Sequence, residues 1–333
     1  MFGDVLNKLP ADEKREVLIK ANDFTDPKYG YDPEERPIEK HLELGVVNLD
    51  KPPGPTSHEV VSWIKRILHV KKAGHGGTLD PKVSGILPIA IQKATKLTQT
   101  LLPAGKEYVT VMHLHDDIDS DKLEETLEDF KGKITQKPPV RASVKRRPRE
   151  REIYYLEILE REERDVLLRI GCEAGTYIRK LCHDIGEALG KGAHMAELRR
   201  TRTGPFGEDE TLANLHDLAD AYAFWKEDGL EKPLREVVLP AENTVEHLPK
   251  IVVRDGAVDA LSRGASLAAP GVLSVETGIT PEAMVAEMTL KGELIALANA
   301  KMNSEEIIDA EHGIVAEPER VVMEPGTYPK KWD

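Results

Sequence analysis

A glycine-rich loop presents a single carboxylate in the segment Gly74-His-Gly-Gly-Thr-Leu-Asp80-Pro81. Glycines let the backbone turn sharply and let a ligand come close, and Pro81 stiffens the chain directly after Asp80. An ionised carboxylate held on such a loop can act as a nucleophile or as a base. The alternative is that Asp80 only caps the following turn, as most Asp-Pro pairs do.

Two other short segments carry side chains that can serve such a carboxylate. Lys106-Glu-Tyr108 begins a predicted strand, where a tyrosine is otherwise half-buried core. Gly175-Thr-Tyr177-Ile-Arg179 is a glycine turn that enters a predicted helix. An arginine near a helix start opposes the helix dipole, which favours a specific partner for Arg179, with a surface ion pair as the ordinary alternative.

Two basic stretches favour a nucleic-acid surface. Six of the eleven residues from Arg141 to Arg151 are basic, and tyrosines follow at 154 and 155. Charge runs are usually solvated faces, but basic and aromatic residues together favour a nucleic-acid groove. A second basic stretch spans residues 197–206. From the two stretches we predict nucleic-acid contacts by Arg141, Lys145, Arg146, Arg147, Arg199 and Arg202.

Metal and nucleotide-cofactor sites are not indicated. His113 and His115 alternate onto one face of a predicted strand, but no third ligand is near them in sequence. Cys172 and Cys182 are too few for a disulfide framework or a four-ligand zinc site. The phosphate-loop, dinucleotide-binding and GxSxG signatures are absent as well. We therefore predict no bound metal.

The elements that must position these segments mix helices and strands. Thr56 and Glu59 have capping-box spacing and predict the start of a helix. A loop is predicted at 74–85, and a short helix is possible at 11–20. Predicted strands are 45–50, 108–115, 153–159 and 165–171, and further predicted helices are 92–102, 119–130, 176–189 and 211–225. Adjacent strands mixed with helices predict an α+β fold rather than a regular βαβ series.

The chain length of 333 residues predicts roughly two domains. Residues 1–45 are acidic and proline-rich and read as an extension that packs on the C-terminal module. Residues 46–247 form the predicted α+β domain. Residues 248–333 are rich in glycine, small residues and short β-like runs, which predicts a small β-barrel-like module.

Charge is distributed unevenly along the chain. The net charge is −13, yet residues 51–110 and 141–203 carry +6 and +4. A basic face on an acidic body is therefore compatible with a nucleic-acid partner. The longest stretch without a charged residue is twelve residues, too short for a membrane helix, and the N-terminus lacks signal-peptide features. We expect a cytoplasmic protein with no membrane partner.

Five segments, in this order and spacing, resemble the TruB-like pseudouridine synthases. They are Asn48-Leu-Asp-Lys-Pro-Pro-Gly-Pro-Thr-Ser57, residues 74–81, Lys106-Glu-Tyr108, residues 175–179 and Leu198-Arg-Arg-Thr-Arg-Thr-Gly-Pro-Phe206. The N-terminal extension and the C-terminal module are similar to those of the dyskerin branch, the catalytic subunits of H/ACA guide ribonucleoproteins. The module, with its Arg263–Gly271 and Gly292–Ala298 segments, resembles a PUA RNA-binding domain. Without a Lys-rich tail, the chain resembles the archaeal members.

The resemblance implies a fold and a role for each matching residue. It implies a mixed-sheet synthase domain at 46–247 and a PUA domain at 248–333. Asp80, Tyr108 and Arg179 match the catalytic aspartate, the tyrosine that stacks on the target base and the arginine that pairs with the aspartate. The implied substrate-binding residues are Tyr177 beside that arginine, Leu198 on the pocket wall, His75 at the base-flipping position and Lys51 in the first segment.

The implied reaction is the isomerisation of uridine to pseudouridine in rRNA, and in tRNA as well. The reaction needs no redox step and no outside group, so no cofactor is expected. The catalytic carboxylate must be ionised while shielded from water. The resemblance implies guide and substrate RNA and three protein partners: a small zinc-ribbon-like protein, a kink-turn-binding ribosomal-type protein and a small β-barrel protein. Alternatives are a stand-alone synthase for position 55 of the tRNA T-arm and a non-catalytic RNA scaffold.

Overall fold

The structure, a computed structural model, describes residues 8–137 and 147–330. The described residues form two sheets with helices packed against them. Helices and mixed strand pairing occur together, which confirms the predicted α+β class.

The strands and helices are given in chain order. The strands are β1 (Val17–Ile19), β2 (Gly45–Lys51), β3 (Ala73–His75), β4 (Ser84–Ile91), β5 (Lys106–Leu114), β6 (Gly132–Gln136), β7 (Arg149–Glu162), β8 (Asp165–Cys172), β9 (Ala193–Thr203), β10 (Leu239–Pro240), β11 (Lys250–Val253), β12 (Leu267–Ala268), β13 (Val272–Glu276), β14 (Met284–Met288), β15 (Leu294–Ala300) and β16 (Ile314–Val321). The helices are α1 (Ile38–Glu43), α2 (Ser57–Ile67), α3 (Thr98–Leu101), α4 (Ser120–Asp129), α5 (Ile178–Ala188), α6 (Leu215–Asp228), α7 (Glu231–Val237), α8 (Asp255–Ser262) and α9 (Ser304–Asp309).

Each sheet is mostly antiparallel. The central sheet has the order β10-β2-β4-β9-β5-β8-β7-β6, with β3 paired to β4, and the C-terminal sheet has the order β1-β13-β11-β14-β15-β16-β12. The pairs β4–β9 and β11–β14 are parallel. In the central sheet, β4, β9 and β5 are adjacent, so the segments that precede or follow these strands meet at one place.

Local sequence patterns predicted one helix start correctly, but they misplaced a second helix and the beginning of a loop. The predicted capping box of Thr56 and Glu59 is confirmed at the start of α2. The predicted helix at 92–102 is instead a 3-10 segment, Gln92–Leu97, followed by the single turn α3. The loop predicted at 74–85 begins within β3, which pairs with β4.

The possible helix at 11–20 is wrong. Residues Pro10–Asp12 form a 3-10 turn, and the chain then extends into β1. Pairing with β13 wins over local helix propensity here, because it also packs Leu18 against the C-terminal core.

Two apolar cores flank the central sheet, and a third fills the C-terminal unit. One flanking core lies around α4 and α5, and the other lies around α2 and α6. A further buried apolar cluster, called the seam below, joins the central and C-terminal units. The seam consists of Ala90, Ala94, Leu97, Ala241 and Val245 from the central unit and Ala286, Met288, Leu294, Leu297 and Val322 from the C-terminal unit.

The N-terminal segment contacts both units. Besides the β1–β13 pairing, the Lys20 Nζ donates to the carbonyls of Ile307 and Ile308, at 2.8 Å each, and of Ala310. Arg36 makes a two-bond ion pair with Glu242 at 2.8 and 2.6 Å. Within the two described ranges, no helix is long and apolar enough to cross a membrane.

Candidate active site

The Asp80 loop is tied to the start of α2. The Ser57 Oγ accepts a hydrogen bond from the Leu79 amide at 2.9 Å and donates to the Leu79 carbonyl at 3.1 Å. Leu79 is buried in the apolar core beside α2. The Asp80 carbonyl accepts from the Val83 amide at 3.0 Å, which closes the turn after Asp80. The carboxylate therefore projects from a loop whose backbone is held on both sides.

Arg179 is the charged partner of Asp80. Its Nη2 lies 3.4 Å from the Asp80 Oδ2. Arg179 is the second residue of α5, which follows the left-handed Gly175. The two side chains are 64% and 66% exposed, so the expectation of a carboxylate shielded from water is wrong for the chain alone. Shielding of Asp80 has to come from whatever binds over it.

Tyr108 and Leu198 lie between the two cores that flank the central sheet. Each is half-buried and packs against both cores. In the β5–β9 register, Tyr108 is opposite Arg200, and Leu198 is opposite Thr110. Burial raises the pKa of Tyr108, and the Arg200 guanidinium opposes that rise. The structure thus brings an aromatic ring and an apolar side chain together beside the Asp80 loop.

Tyr177 is positioned through its backbone. Its amide donates to the Gln136 Oε1 at 2.9 Å, and its carbonyl accepts from the Gln136 Nε2 at 3.2 Å. Gln136 is 2% exposed. This double contact fixes the backbone just before Arg179 enters α5.

His75 lies at the start of the Asp80 loop. Its Nδ1 is 3.3 Å from the amide of Gly77, and its ring is edge-on to the His58 ring at 5.4 Å. Burial, followed by the charges of His58 and Arg200, lowers the pKa of His75. The ring is therefore neutral at pH 7 and accepts a hydrogen bond from its own loop.

Lys51 does not fit the predicted direct contact with substrate. Its side chain is fully buried, and its Nζ donates to the carbonyls of Pro52 at 2.8 Å, Pro81 at 3.2 Å and Val83 at 2.9 Å. All three amine hydrogens are committed to backbone oxygens. Lys51 therefore positions the segment after Asp80.

Two of the predicted nucleic-acid contacts are already neutralised within the chain. Arg199 makes a two-bond ion pair with Asp50 at 3.0 and 2.9 Å and a further bond to Glu208 at 2.5 Å. Arg202 forms a two-bond pair with Asp12. Phosphate would have to displace these carboxylates, so neither arginine is a free phosphate ligand.

The other predicted nucleic-acid contacts belong to the first basic stretch. Arg147 is exposed. Arg141, Lys145 and Arg146 lie outside the described residues. Their contact with nucleic acid stays a prediction.

Sequence reasoning missed two buried cations beside the site. Arg200 is 1% exposed, and Lys106 is 4% exposed. A usable signal was present for Arg200, because residues two apart in a strand share a face, and Leu198 was already assigned to the pocket wall. For Lys106, the predicted strand suggested only its neighbour Tyr108.

Metal ligands are not grouped in the part of the chain that the structure describes. No cluster of three or more histidine, cysteine, aspartate or glutamate side chains there could hold a metal ion. Cys172 and Cys182 are buried free thiols, and burial raises the pKa of each to about 12. These thiols are therefore protonated and serve as core residues.

Family models match most of the chain. Residues 65–178 match the TruB family pseudouridylate synthase N-terminal domain, and residues 179–246 match the tRNA pseudouridylate synthase B C-terminal domain. Residues 249–322 match the PUA domain, and residues 7–61 match the DKCLD domain.

Similar proteins extend over almost the full length. "Probable tRNA pseudouridine synthase B" of Methanopyrus kandleri is 63% identical over 332 residues, covering 100% of this chain and 98% of that protein. The protein of the same name from Pyrococcus horikoshii is 60% identical, over 99% of each chain.

Solved structures agree with these matches. A chain from a "Cbf5-Nop10-Gar1 Complex" is 59% identical with a TM-score of 0.94, covering 98% of this chain and all of that one. A chain from an "H/ACA RNP bound to a substrate RNA containing 2'-deoxyuridine" is 57% identical with a TM-score of 0.92, at the same coverage. The chain described here belongs to the TruB family of pseudouridine synthases.

Proposed function

We propose that this chain is the catalytic subunit of an H/ACA guide ribonucleoprotein and isomerises uridine to pseudouridine in rRNA. The observation that carries the proposal is the full-length likeness, at a TM-score of 0.92, to a chain of an H/ACA ribonucleoprotein bound to substrate RNA. By the same likeness, its partners are guide RNA, substrate RNA and counterparts of the Nop10 and Gar1 proteins in the solved complex. We further propose a kink-turn-binding ribosomal-type protein as partner and the archaeal cytoplasm as location.

Asp80 acts on the sugar in this proposal. It either attacks C1′ or works as a base, while the bond from C1′ to N1 breaks, the uracil turns and C1′ joins C5. Arg179, whose Nη2 lies 3.4 Å from the Asp80 Oδ2, orients the carboxylate. The isomerisation needs no electron acceptor and no group from another molecule, so it proceeds without a cofactor.

The flipped base occupies the space beside Tyr108 and Leu198. Taking a base out of its stack costs a few kcal/mol. Stacking on Tyr108 returns about 1–3 kcal/mol of that. His75 and Tyr177 line the approach, and RNA laid over the site supplies the shielding that the exposed Asp80 lacks.

The direct test replaces Asp80 with Asn in the reconstituted complex. We expect loss of pseudouridine by at least about a thousandfold, because the amide can be neither nucleophile nor base. RNA affinity should change less than about threefold, since Asp80 and Asn have the same shape. Substantial residual activity in Asp80→Asn would contradict the assignment. The matched control is Asp184→Asn, a change on α5 outside the Asp80 loop.

A second candidate is a stand-alone tRNA synthase acting at position 55 of the T-arm, and the relatives' names, which specify tRNA pseudouridine synthase, favour tRNA as the substrate. Guide RNA separates the two. Mass-spectrometric mapping of pseudouridine in tRNA and rRNA, with and without guide and partner proteins, gives the answer. Product in tRNA without guide supports the second candidate, and product in rRNA only with guide supports the first.

A further inference from the structure

Three buried cations surround the backbone of the Asp80 loop. They are Lys51, Lys106 and Arg200, called the cationic floor below, with exposed fractions of 0%, 4% and 1%. None of the three makes an ion pair with a carboxylate among the described residues. Burying a basic side chain without a carboxylate partner is unfavourable, so three such side chains at one site call for an explanation beyond stability.

Arg200 holds the chain just before Asp80. Its Nη2 donates to the Gly77 carbonyl at 3.1 Å, its Nη1 lies 3.5 Å from the Thr78 carbonyl, and its Nε donates to the Ile86 carbonyl at 2.8 Å. The guanidinium also interacts with the Tyr108 hydroxyl. One side chain thus contacts the loop of the catalytic aspartate, the neighbouring strand β4 and the stacking tyrosine.

The two lysines complete the floor. Lys51 donates to the carbonyls of Pro81 and Val83, on the other side of Asp80. The Lys106 Nζ donates to the carbonyls of Leu101 at 2.9 Å, Leu102 at 2.8 Å and Ala104 at 2.7 Å. Backbone carbonyls on both sides of Asp80 are therefore turned towards buried positive charge.

Close packing fixes this arrangement. Gly85 has a φ of +105°, and a Cβ at that position would lie 2.1 Å from the Arg200 carbonyl oxygen. A Cβ on Gly76 would lie 2.8 Å from the Leu101 side chain, next to the carbonyls that hold Lys106. Glycine is required at both positions because β4 packs directly on the Arg200 backbone and the loop packs directly on Leu101.

We propose that Arg200 is a positioning residue of the isomerisation, and that the cationic floor holds the Asp80 loop and stabilises negative charge on the uracil. The inference rests on the proposed synthase activity. When the bond from C1′ to N1 breaks, its electron pair stays on the uracil ring. C1′ then bonds to C5, the C5 proton leaves to solvent and N1 takes up a proton. Fixed positive charge in a water-poor site stabilises such developing charge without reorganisation.

The test compares Arg200→Met, which removes the charge at similar volume, with Arg200→Lys, which keeps the charge but loses the planar fork. Single-turnover rates and RNA dissociation constants are measured separately in the reconstituted complex. We expect Arg200→Met to lower the rate about a hundredfold with RNA affinity within about threefold, and Arg200→Lys to recover part of the rate. A rate for folded Arg200→Met within about threefold of wild type would overturn the proposal.

The control is Lys20→Met, because Lys20 also donates to three backbone carbonyls but lies against the C-terminal sheet. It should leave the single-turnover rate unchanged. If Arg200→Met does not fold, Lys106→Met takes its place. We expect Lys106→Met to lower the rate about tenfold at unchanged RNA affinity, and an unchanged rate would overturn the proposal.

A second readout needs no turnover. Burial, with the neighbouring Arg200 charge, lowers the pKa of Lys106 to about 7, and the other titratable neighbour, Cys172, is a neutral thiol. The Lys106 pKa can be followed by carbon-13 NMR of the lysine ε-carbons, with the signal assigned by Lys106→Arg. This pKa should rise in Arg200→Met, which removes the neighbouring charge, and should rise less in Arg200→Lys, which keeps it. An unchanged Lys106 titration in Arg200→Met would contradict the floor, whereas wild-type complex that forms no pseudouridine would contradict the proposed function.

Discussion

The central unit and the C-terminal unit both bury ionisable side chains, but the hydrogen-bond partners of those side chains differ. Beside the active site, the floor lysines and Arg200 each donate to two or three backbone carbonyls. In the C-terminal unit, Glu287 of β14 is fully buried, and neither of its carboxylate oxygens has a hydrogen-bond partner among the described residues. Backbone carbonyls thus solvate the three floor cations, whereas Glu287 has no such partner among the described residues.

The difference shows how a buried ionisable group is tolerated. Burial alone raises the pKa of Glu287 to about 8, so this side chain is mostly protonated and neutral at pH 7. Arg200 cannot become neutral in this way, because a guanidinium stays charged in proteins. The C-terminal unit therefore accommodates the buried Glu287 by neutralising it, whereas the central unit uses backbone carbonyls to accommodate the charged Arg200. That contrast is expected of a site that uses the charge.

The largest expected effect on stability is at Lys51, the most deeply buried lysine of the floor. Lys51→Met removes a donor from the carbonyls of Pro52, Pro81 and Val83, of which Pro81 still accepts from the Gly54 amide at 2.8 Å. Because Lys51 is fully buried, we expect the free energy of unfolding to fall by about 4 kcal/mol. Urea denaturation measures this loss. Lys20→Met is the matched control and should lose only about 1 kcal/mol, because Lys20 is only partly buried and water can replace its amine. Equal losses of unfolding free energy in both variants would show that burial in the floor does not make the contacts of Lys51 more stabilising than those of Lys20.

Glu287 should make stability depend on pH below neutrality. Its folded pKa of about 8 lies above the ordinary 4.5, so the native state binds the extra proton. The stability that Glu287 contributes is fully present below about pH 4.5 and is lost as pH rises through 8, with a fall of about 2.5 kcal/mol between pH 5 and 7. Glu287→Gln should remove this dependence, and exposed Glu319→Gln should not. A wild-type slope that survives in Glu287→Gln would mean that other groups, and not Glu287, produce the pH dependence.

Lys106 should produce the opposite slope at higher pH. Its folded pKa of about 7 lies below the ordinary 10.5, so the unfolded state binds the extra proton between these values. Stability should therefore rise between pH 8 and 9, by about 1.4 kcal/mol. Lys106→Met should flatten this rise, as followed by urea unfolding at several pH values. Together the two groups predict a minimum of stability between pH 7 and 8.

The smallest effect on stability is expected at the ion pair between Arg179 and Asp80. Arg179 and Asp80 are both mostly exposed, and exposed pairs contribute little. Arg179→Ala should change the free energy of unfolding by less than about 0.5 kcal/mol while lowering the single-turnover rate. Thermal unfolding and the rate assay separate these effects, and a large loss of stability would show that the pair is structural.

Local sequence patterns correctly predicted features that depend on residues close together in the chain. The capping box at Thr56 follows from residues three apart, and the order of the five family segments led to the right fold class. Contacts between distant residues were not predictable in the same way. Arg200 and Gly77 are 123 residues apart, and the pairs that neutralise Arg199 and Arg202 join residues 149 and 190 apart. The basic stretch at 197–206 therefore predicted an RNA surface. In the structure, the Arg200 side chain is buried, and Arg199 and Arg202 form ion pairs with carboxylates.

The seam between the two units couples their unfolding. Separating the C-terminal unit would expose apolar side chains on both faces, among them Leu97 and Val245 on one and Met288 and Leu297 on the other. Local melting of either unit is therefore penalised by the other, and a calorimeter should record one cooperative transition for the whole chain. Damage remote from Asp80, such as a charge placed at Ala286, would then reduce the amount of folded enzyme without touching its chemistry.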